Sequence, residues 1–256
     1  MDEPLNRDMK DLSPLALLAA FAFLAVPALV SQWQRLGLTR DMLWAALRGT
    51  AQLMAIGYVL TAVFAAESWW LLTLLLVLMI AVASRSAARR GAPFSGAFWM
   101  AFLAIAAAEA VALALWGAFQ LVAWKGQYVL PMSGMVIGNA MTVAGLSFER
   151  MWREFEQTKP LILAKLALGA TPRQACQEVI EQTVKAAMIP NIDTLRTIGL
   201  VHLPGMMTGA ILAGAPPLVA VKYQLVILLT LLSGAAIAAM VISFLTYRCF
   251  FVQRLF

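Results

Sequence analysis

Long runs of uncharged apolar residues recur along nearly the whole chain, and they dictate its solvent: this sequence folds in lipid. Windows of roughly 20 apolar residues, the length that crosses a bilayer as a helix, fall at approximately Leu12–Val30, Met42–Ala65, Trp69–Ser84, Ala97–Gln120, Val129–Phe148, Asn191–Ala215 and Gln224–Tyr247. The chain is 62% hydrophobic and 12% charged, with a mean hydropathy of +0.82. Soluble domains run about 45–50% and about 25%. Where no water satisfies the backbone, spanning segments are helices or a closed barrel, and unbroken runs select helices. The expected fold class is therefore all-α, a polytopic membrane protein of about seven spans. It forms one transmembrane domain over residues 1–256, with a cytoplasmic amphipathic segment at 149–190.

Two windows carry internal marks. The third begins with Trp69-Trp70, a pair suited to the membrane interface. The sixth contains Asp193, Arg196, His202 and a Pro204-Gly205 break, so a re-entrant or broken helix stands beside a continuous span.

Basic residues orient the spans. Arg35 and Arg40 follow the first window and Arg85, Arg89 and Arg90 the third, which places both loops in the cytoplasm. Alternation then puts Glu149–Pro190, with Arg150, Arg153, Lys159, Lys165, Arg173 and Lys185, on the same side, and the C-terminus with Arg248 and Arg254 there too. The N-terminus falls outside, its first residues holding Asp2, Glu3, Asp8 and Asp11 against Arg7 and Lys10. With acidic residues before it and no small-x-small site followed by a soluble domain, the first window does not read as a cleaved signal peptide. The net charge of +6 is in this reading a topology signal. Nucleic-acid binding would need a contiguous basic face with stacking aromatics, and these arginines are scattered at loop ends.

Chemistry of the chain's own is scarce. There is no G-x-x-x-x-G-K-[ST] phosphate loop, no G-x-S-x-G and no His-Glu-x-x-His, so no ATPase or hydrolase site is expected and catalytic residues are none. Cys176 and Cys249 form no C-x-x-C, and His202 is the one histidine. A tight His/Cys metal site within one subunit is not available, and no metal-ligand set is assigned.

The polar excursion between Lys159 and Pro190 reads as two helices meeting at a corner. Gly169 can end the first in the left-handed conformation. Thr171 can N-cap the second, with Pro172 at its first position and Gln174 closing a T-x-x-Q capping box. Beyond the cap, Ala175, Cys176, Val179, Ile180, Thr183, Val184 and Ala187 recur at helical spacing, with Gln174, Gln177, Glu178, Glu181, Gln182 and Lys185 opposite. The helix is amphipathic, and Pro190 is expected to end or kink it. Its Gln/Glu-rich polar face fits a packed elbow better than a helix lying on the inner leaflet.

Leu168-Gly169-Ala170-Thr171-Pro172-x-Gln174, with Pro190 downstream, resembles the cytoplasmic loop of ABC-importer permeases, whose Leu-Gly-Ala-Ser/Thr-Pro corner docks into the ATPase. The Glu-Ala-Ala that starts that loop is absent, and Leu163-Ala164-Lys165 stands instead. Over almost the whole chain the sequence resembles the FetB family of ABC permeases, which includes bacterial iron exporters and plant aluminium-tolerance permeases. The likeness is carried by Gln52-Leu53 with Gly57-Tyr58-Val59-Leu60, Pro131-Met132-Ser133-Gly134-Met135, Gly138-Asn139-Ala140-Met141, the corner, Gly199-Leu200-Val201, Leu203-Pro204-Gly205-Met206-Met207-Thr208-Gly209, and Lys222-Tyr223-Gln224.

That resemblance implies a permease subunit, most simply a homodimer, in a bacterial inner membrane. It would export iron or another metal and couple to a separate P-loop ATPase that binds the ATP and Mg. The coupling residues it implies are Leu168, Gly169, Ala170, Thr171, Pro172 and Gln174. The alternative is a channel or secondary transporter that works without an ATPase. Candidate pathway residues are Arg48, Gln52, Glu109, Asn139, Met206 and Met207. A charge at mid-bilayer faces a partner or water, so Arg48 and Glu109 either pair or line the pathway. Asn139 either hydrogen-bonds between helices or faces substrate. Met132, Met135, Met141, Met206 and Met207 are either packing or soft metal ligands. Gly134, Gly138 and Gly145 are spaced for close helix approach.

Overall fold

The computed structural model describes residues 19, 21–66 and 68–254. Packing divides the chain into two compact units, Met1–Ser68 and Trp69–Phe256. The acidic N-terminal residues, and the start of the first expected span, lie outside the described residues.

In the first unit a short 3-10 turn, Phe21–Leu24, runs into α1 (Ala25–Trp33), and α2 (Thr39–Ala66) follows. The bend between them is built by Ser31, which is almost fully buried. Its carbonyl accepts from Leu36 N at 2.9 Å and its hydroxyl from Leu38 N at 3.0 Å. Gly37 sits at φ 70° in that turn, a conformation glycine adopts without a Cβ penalty. At 28 residues, α2 is about 42 Å long. Leu47, Leu53, Met54 and Tyr58 point outward from it, as side chains solvated by acyl chains do.

The second unit is a helical bundle. It comprises α3 (Trp69–Ala88), α4 (Ala97–Ala118), α5 (Gly126–Ala167), α6 (Pro172–Thr197), α7 (Gly205–Leu212) and α8 (Pro217–Arg254). Among the described residues, α3, α4, α5 and α8 are the helices long and apolar enough to span a membrane. The fold is that of an all-α polytopic membrane protein.

Lipid gives helices no hydrophobic reason to associate, so close van der Waals contact has to hold them together. Alanine supplies it here. Ala101, Ala104, Ala108, Ala140, Ala144, Ala235, Ala238 and Ala239 are 0–1% exposed and line the seams among α4, α5 and α8. The glycines expected to do this work contribute differently. A Cβ at Gly138 would meet nothing within 4 Å, whereas one at Gly134 would touch the Met79 methyl at 3.3 Å and one at Gly145 the Arg90 side chain at 3.0 Å. These two make room for side chains.

Three features depart from expectation or sharpen it. First, the fifth span does not stop at Phe148. It continues as one helix of 42 residues to the corner, about 63 Å, because Glu149–Lys165 is rich in helix formers. The ion pairs Arg153–Glu149 at 2.6 Å and Arg150–Glu154 at 3.2 Å mark where it leaves the apolar stretch. Second, Pro190 does not end α6, which runs through it to Thr197. Third, Asn191–Ala215 is not a continuous span. The open alternative is the one observed: α6 stops, residues 198–204 turn, and α7 resumes for eight residues, about 12 Å. Gly199 at φ 79° makes the turn, its N–H bonded to the His202 carbonyl at 3.0 Å.

Candidate functional site

The corner between α5 and α6 has the local geometry its residue types call for. Gly169 lies at φ 89°. Ala170 N donates to Lys165 O at 3.0 Å and Gly169 N to Leu166 O at 2.9 Å, the paired bonds of a Schellman termination. Thr171 then caps α6: its hydroxyl accepts from Gln174 N at 3.4 Å, and Gln174 Oε1 accepts from Thr171 N at 2.9 Å. Pro172 occupies the first helical position. Leu168 stands 89% exposed at the tip, with Ala170 half-buried beneath it and Thr171, Pro172 and Gln174 on the surface.

The corner is tied to the bundle at three levels. Lys165 Nζ meets Glu178 Oε2 at 3.4 Å across the two helices. The Arg173 guanidinium lies over the Phe244 ring of α8, 5.4 Å from its centroid. Deeper, Ala175, Cys176, Val179 and Ile180 of α6 pack with Phe155 and Ile162 of α5 and Tyr247 and Phe250 of α8. The α6 face predicted from periodicity is the one buried. Displacing the corner therefore moves α8 as well as α5.

Burial pushes the Cys176 thiol up to about 12, with the Lys165 charge acting in the opposite direction. At neutral pH almost no thiolate is present, and the thiolate is the reactive form. Maleimide applied to the native protein at pH 7 is expected to leave Cys176 unmodified and to label it after denaturation, as read by mass spectrometry.

The candidate pathway residues are divided between the two units. Arg48 and Gln52 are exposed on α2 of the first unit. In the second unit Glu109 is 2% exposed on α4. Neither of its oxygens completes a hydrogen bond among the described residues, and Ser133 of α5 is the polar side chain that faces it. Asn139 is half-buried and donates from Nδ2 to the Leu231 carbonyl of α8 at 2.9 Å. Leu231 and Met206 both pack against the cluster of Ala112, Trp116, Val122, Met132, Val136 and Ile227, so Asn139 and Met206 share a neighbourhood. Replacing Asn139 by leucine is expected to cost about 1 kcal/mol, the scale of hydrogen bonds between membrane helices. Reversible unfolding in mixed micelles measures it, and a transport loss beyond that cost would mark a pathway role.

Two groups escaped sequence reasoning. Gln224, 6% exposed, accepts from Met207 N at 3.3 Å and so caps α7 from the neighbouring helix. Pro204 at the N-cap makes no side-chain hydrogen bond there. Trp116 Nε1 donates to Thr230 Oγ1 at 3.0 Å. A glutamine seven residues into an apolar helix was the available signal for the first; nothing local signals the second. Among the described residues no group of three His, Cys, Asp or Glu side chains is placed to hold a metal ion.

Comparison with known proteins adds the relatives. The sequence profile of UPF0014, described as an uncharacterised protein family, matches residues 14–251. The UPF0014 membrane protein YjkA of Bacillus subtilis (strain 168) is 38% identical over 237 residues, 93% of this chain and 95% of that protein. The "Probable iron export permease protein FetB" of Escherichia coli (strain K12) is 37% identical over 240 residues, 93% and 92% of the two chains. Protein ALUMINUM SENSITIVE 3 of Arabidopsis thaliana is 31% identical over 235 residues, 92% and 86%. No solved structure matches.

Proposed function

Because the chain belongs to the UPF0014 family of membrane proteins, we propose that it is the permease subunit of an ATP-driven transporter exporting iron or another metal. A separate P-loop ATPase would bind the ATP and Mg, and two permease chains, most simply identical, would share the complex. Export of iron is taken from the name of the bacterial relative at 37% identity. The N-terminus is assigned to the outside and the C-terminus to the cytoplasm of a bacterial inner membrane, on the loop distribution of Lys and Arg.

The observation that carries the reading is Leu168, 89% exposed on a corner that two capping motifs hold in shape. An exposed leucine is ordinary by itself. This one stands at the tip of a rigid turn whose flanking helices reach into the spans, which is the arrangement needed to receive a push from a soluble partner. Exchanging Leu168 for glutamate leaves the caps intact and puts a charge on the tip. The variant is expected to reach the membrane at the wild-type level while losing at least tenfold in copurification with the candidate ATPase. Wild-type copurification by that variant would move the docking site elsewhere, and the loop at Arg85–Pro93 becomes the next candidate.

A further inference from the structure

Within the second unit, the α3–α4–α5–α8 bundle buries a carboxyl group that makes no ion pair among the described residues. Glu109 is 2% exposed, and Ser133, which faces it, is 0% exposed. Both carboxyl oxygens and the Ser133 hydroxyl lack a completed hydrogen bond among the described residues. Among the other buried hydroxyls of this unit, Ser84 donates to Ile80 O at 2.6 Å and Thr246 to Ile242 O at 2.6 Å, while Ser147, Thr183 and Ser243 make no hydrogen bond among the described residues. An unpaired hydroxyl is therefore ordinary here, and what sets this pair apart is that Glu109 is the one carboxylic acid among the buried polar residues described.

The helices packed most extensively on α4 are α3, α5 and α8, and their long apolar stretches carry no cation. On α3 the first charged residue is Arg85, which is exposed in its last turn. On α5 no charge precedes Glu149, and on α8 none lies between Lys222 and Arg248. The other titratable groups on these elements are Tyr128 and the charged residues from Glu149 onward on α5, and Tyr223, Tyr247 and Cys249 on α8. α4 itself has Glu109 alone. A buried anion survives when a charge partner and several donors satisfy it, and one serine hydroxyl is far short of that.

We infer that Glu109 and Ser133 form a binding site for one exchangeable cation in the helix core, filled by a proton or by a small oxygen-coordinated metal ion. In the proton form one carboxyl oxygen becomes a donor and Ser133 Oγ its facing acceptor. In the metal form carboxylate and hydroxyl are both hard oxygen ligands, the type that suits Mn²⁺ and similar ions. The site is enclosed by four spans, so its occupant exchanges only when those helices part. This inference does not depend on the ATPase reading.

The test is infrared difference spectroscopy of the full chain in liposomes at neutral pH, wild type against E109Q, with ¹³C-labelled glutamate. Spectra are taken first with a chelator present and then with added Mn²⁺. A protonated-carboxyl C=O stretch that E109Q removes and Mn²⁺ leaves unchanged identifies the proton. Carboxylate bands that shift with Mn²⁺, and do so only when Glu109 is present, identify a metal cation. A Glu109 carboxylate band indifferent to Mn²⁺ means that the anion stands uncompensated, and overturns the proposal. Should E109Q fail to assemble, S133A decides instead. Removing the facing hydroxyl must displace the Glu109 band, and a spectrum identical to wild type also overturns it.

Discussion

Substituting valine for Gly169 is expected to disconnect ATP hydrolysis from transport without preventing membrane insertion. Gly169 sits at φ 89°, and a Cβ built there meets nothing within 4 Å. The penalty is therefore one of backbone conformation alone. A β-branched residue at positive φ is a true outlier, costing about 1–3 kcal/mol. That strain is small beside the burial of the spans but large for one turn, so the Schellman bonds from Ala170 and Gly169 open and the start of α6 shifts. Transport-coupled hydrolysis in liposomes should fall at least tenfold. Asn tolerates the left-handed region, so Gly169→Asn should retain most of the coupling. If Gly169→Val couples as wild type does, the turn is not the point at which force enters.

The largest loss of stability is expected from Phe155→Ala. Phe155 is 0% exposed and stacks on Phe250 of α8 with ring centroids 4.1 Å apart and planes 5° from parallel. Truncating a buried phenylalanine costs about 3–5 kcal/mol, and an aromatic pair adds about 0.5–1.5 kcal/mol to simple burial. The ring lies where α5, α6 and α8 meet, beyond the last long apolar run, so the loss should appear as release of the corner. Limited proteolysis should cut between residues 149 and 190 in the variant at protease levels that spare the wild type. Phe155→Leu should restore most of the protection.

How much of this was legible beforehand follows from the range of each interaction. Thr171, Pro172 and Gln174 could be read because a capping box is closed within four residues, and Gly169 because a left-handed turn calls for glycine locally. The buried face of α6 could be read because periodicity records burial. Pro190 does not end α6, because its effect is weighed against packing that is not local. A proline inside a helix costs about 3 kcal/mol, yet Thr183 and Ala187, both buried, hold α6 against its neighbours up to the next turn. The sequence around Asn139 fits an interhelical hydrogen bond and a pathway role equally, and only the position of Leu231, 92 residues away, reveals its hydrogen bond. The Gln224 cap on α7 and the isolation of Glu109 are likewise properties of the packed bundle. A residue count along one helix contains neither.

The uninterrupted length of α5 has a mechanical consequence. With no loop between its first turn and the corner, the helix acts as a lever of about 63 Å rather than as a tether with slack. A tilt of about 10° about the corner end carries the far end about 11 Å, and a tilt of a few degrees carries it the width of an ion. Pro131 and Pro160, both inside the helix, are the points at which such a lever yields first, since each removes a backbone bond. Between them lie Ser133 and Asn139, so the stretch that faces Glu109 and grips α8 travels as one stiff rod.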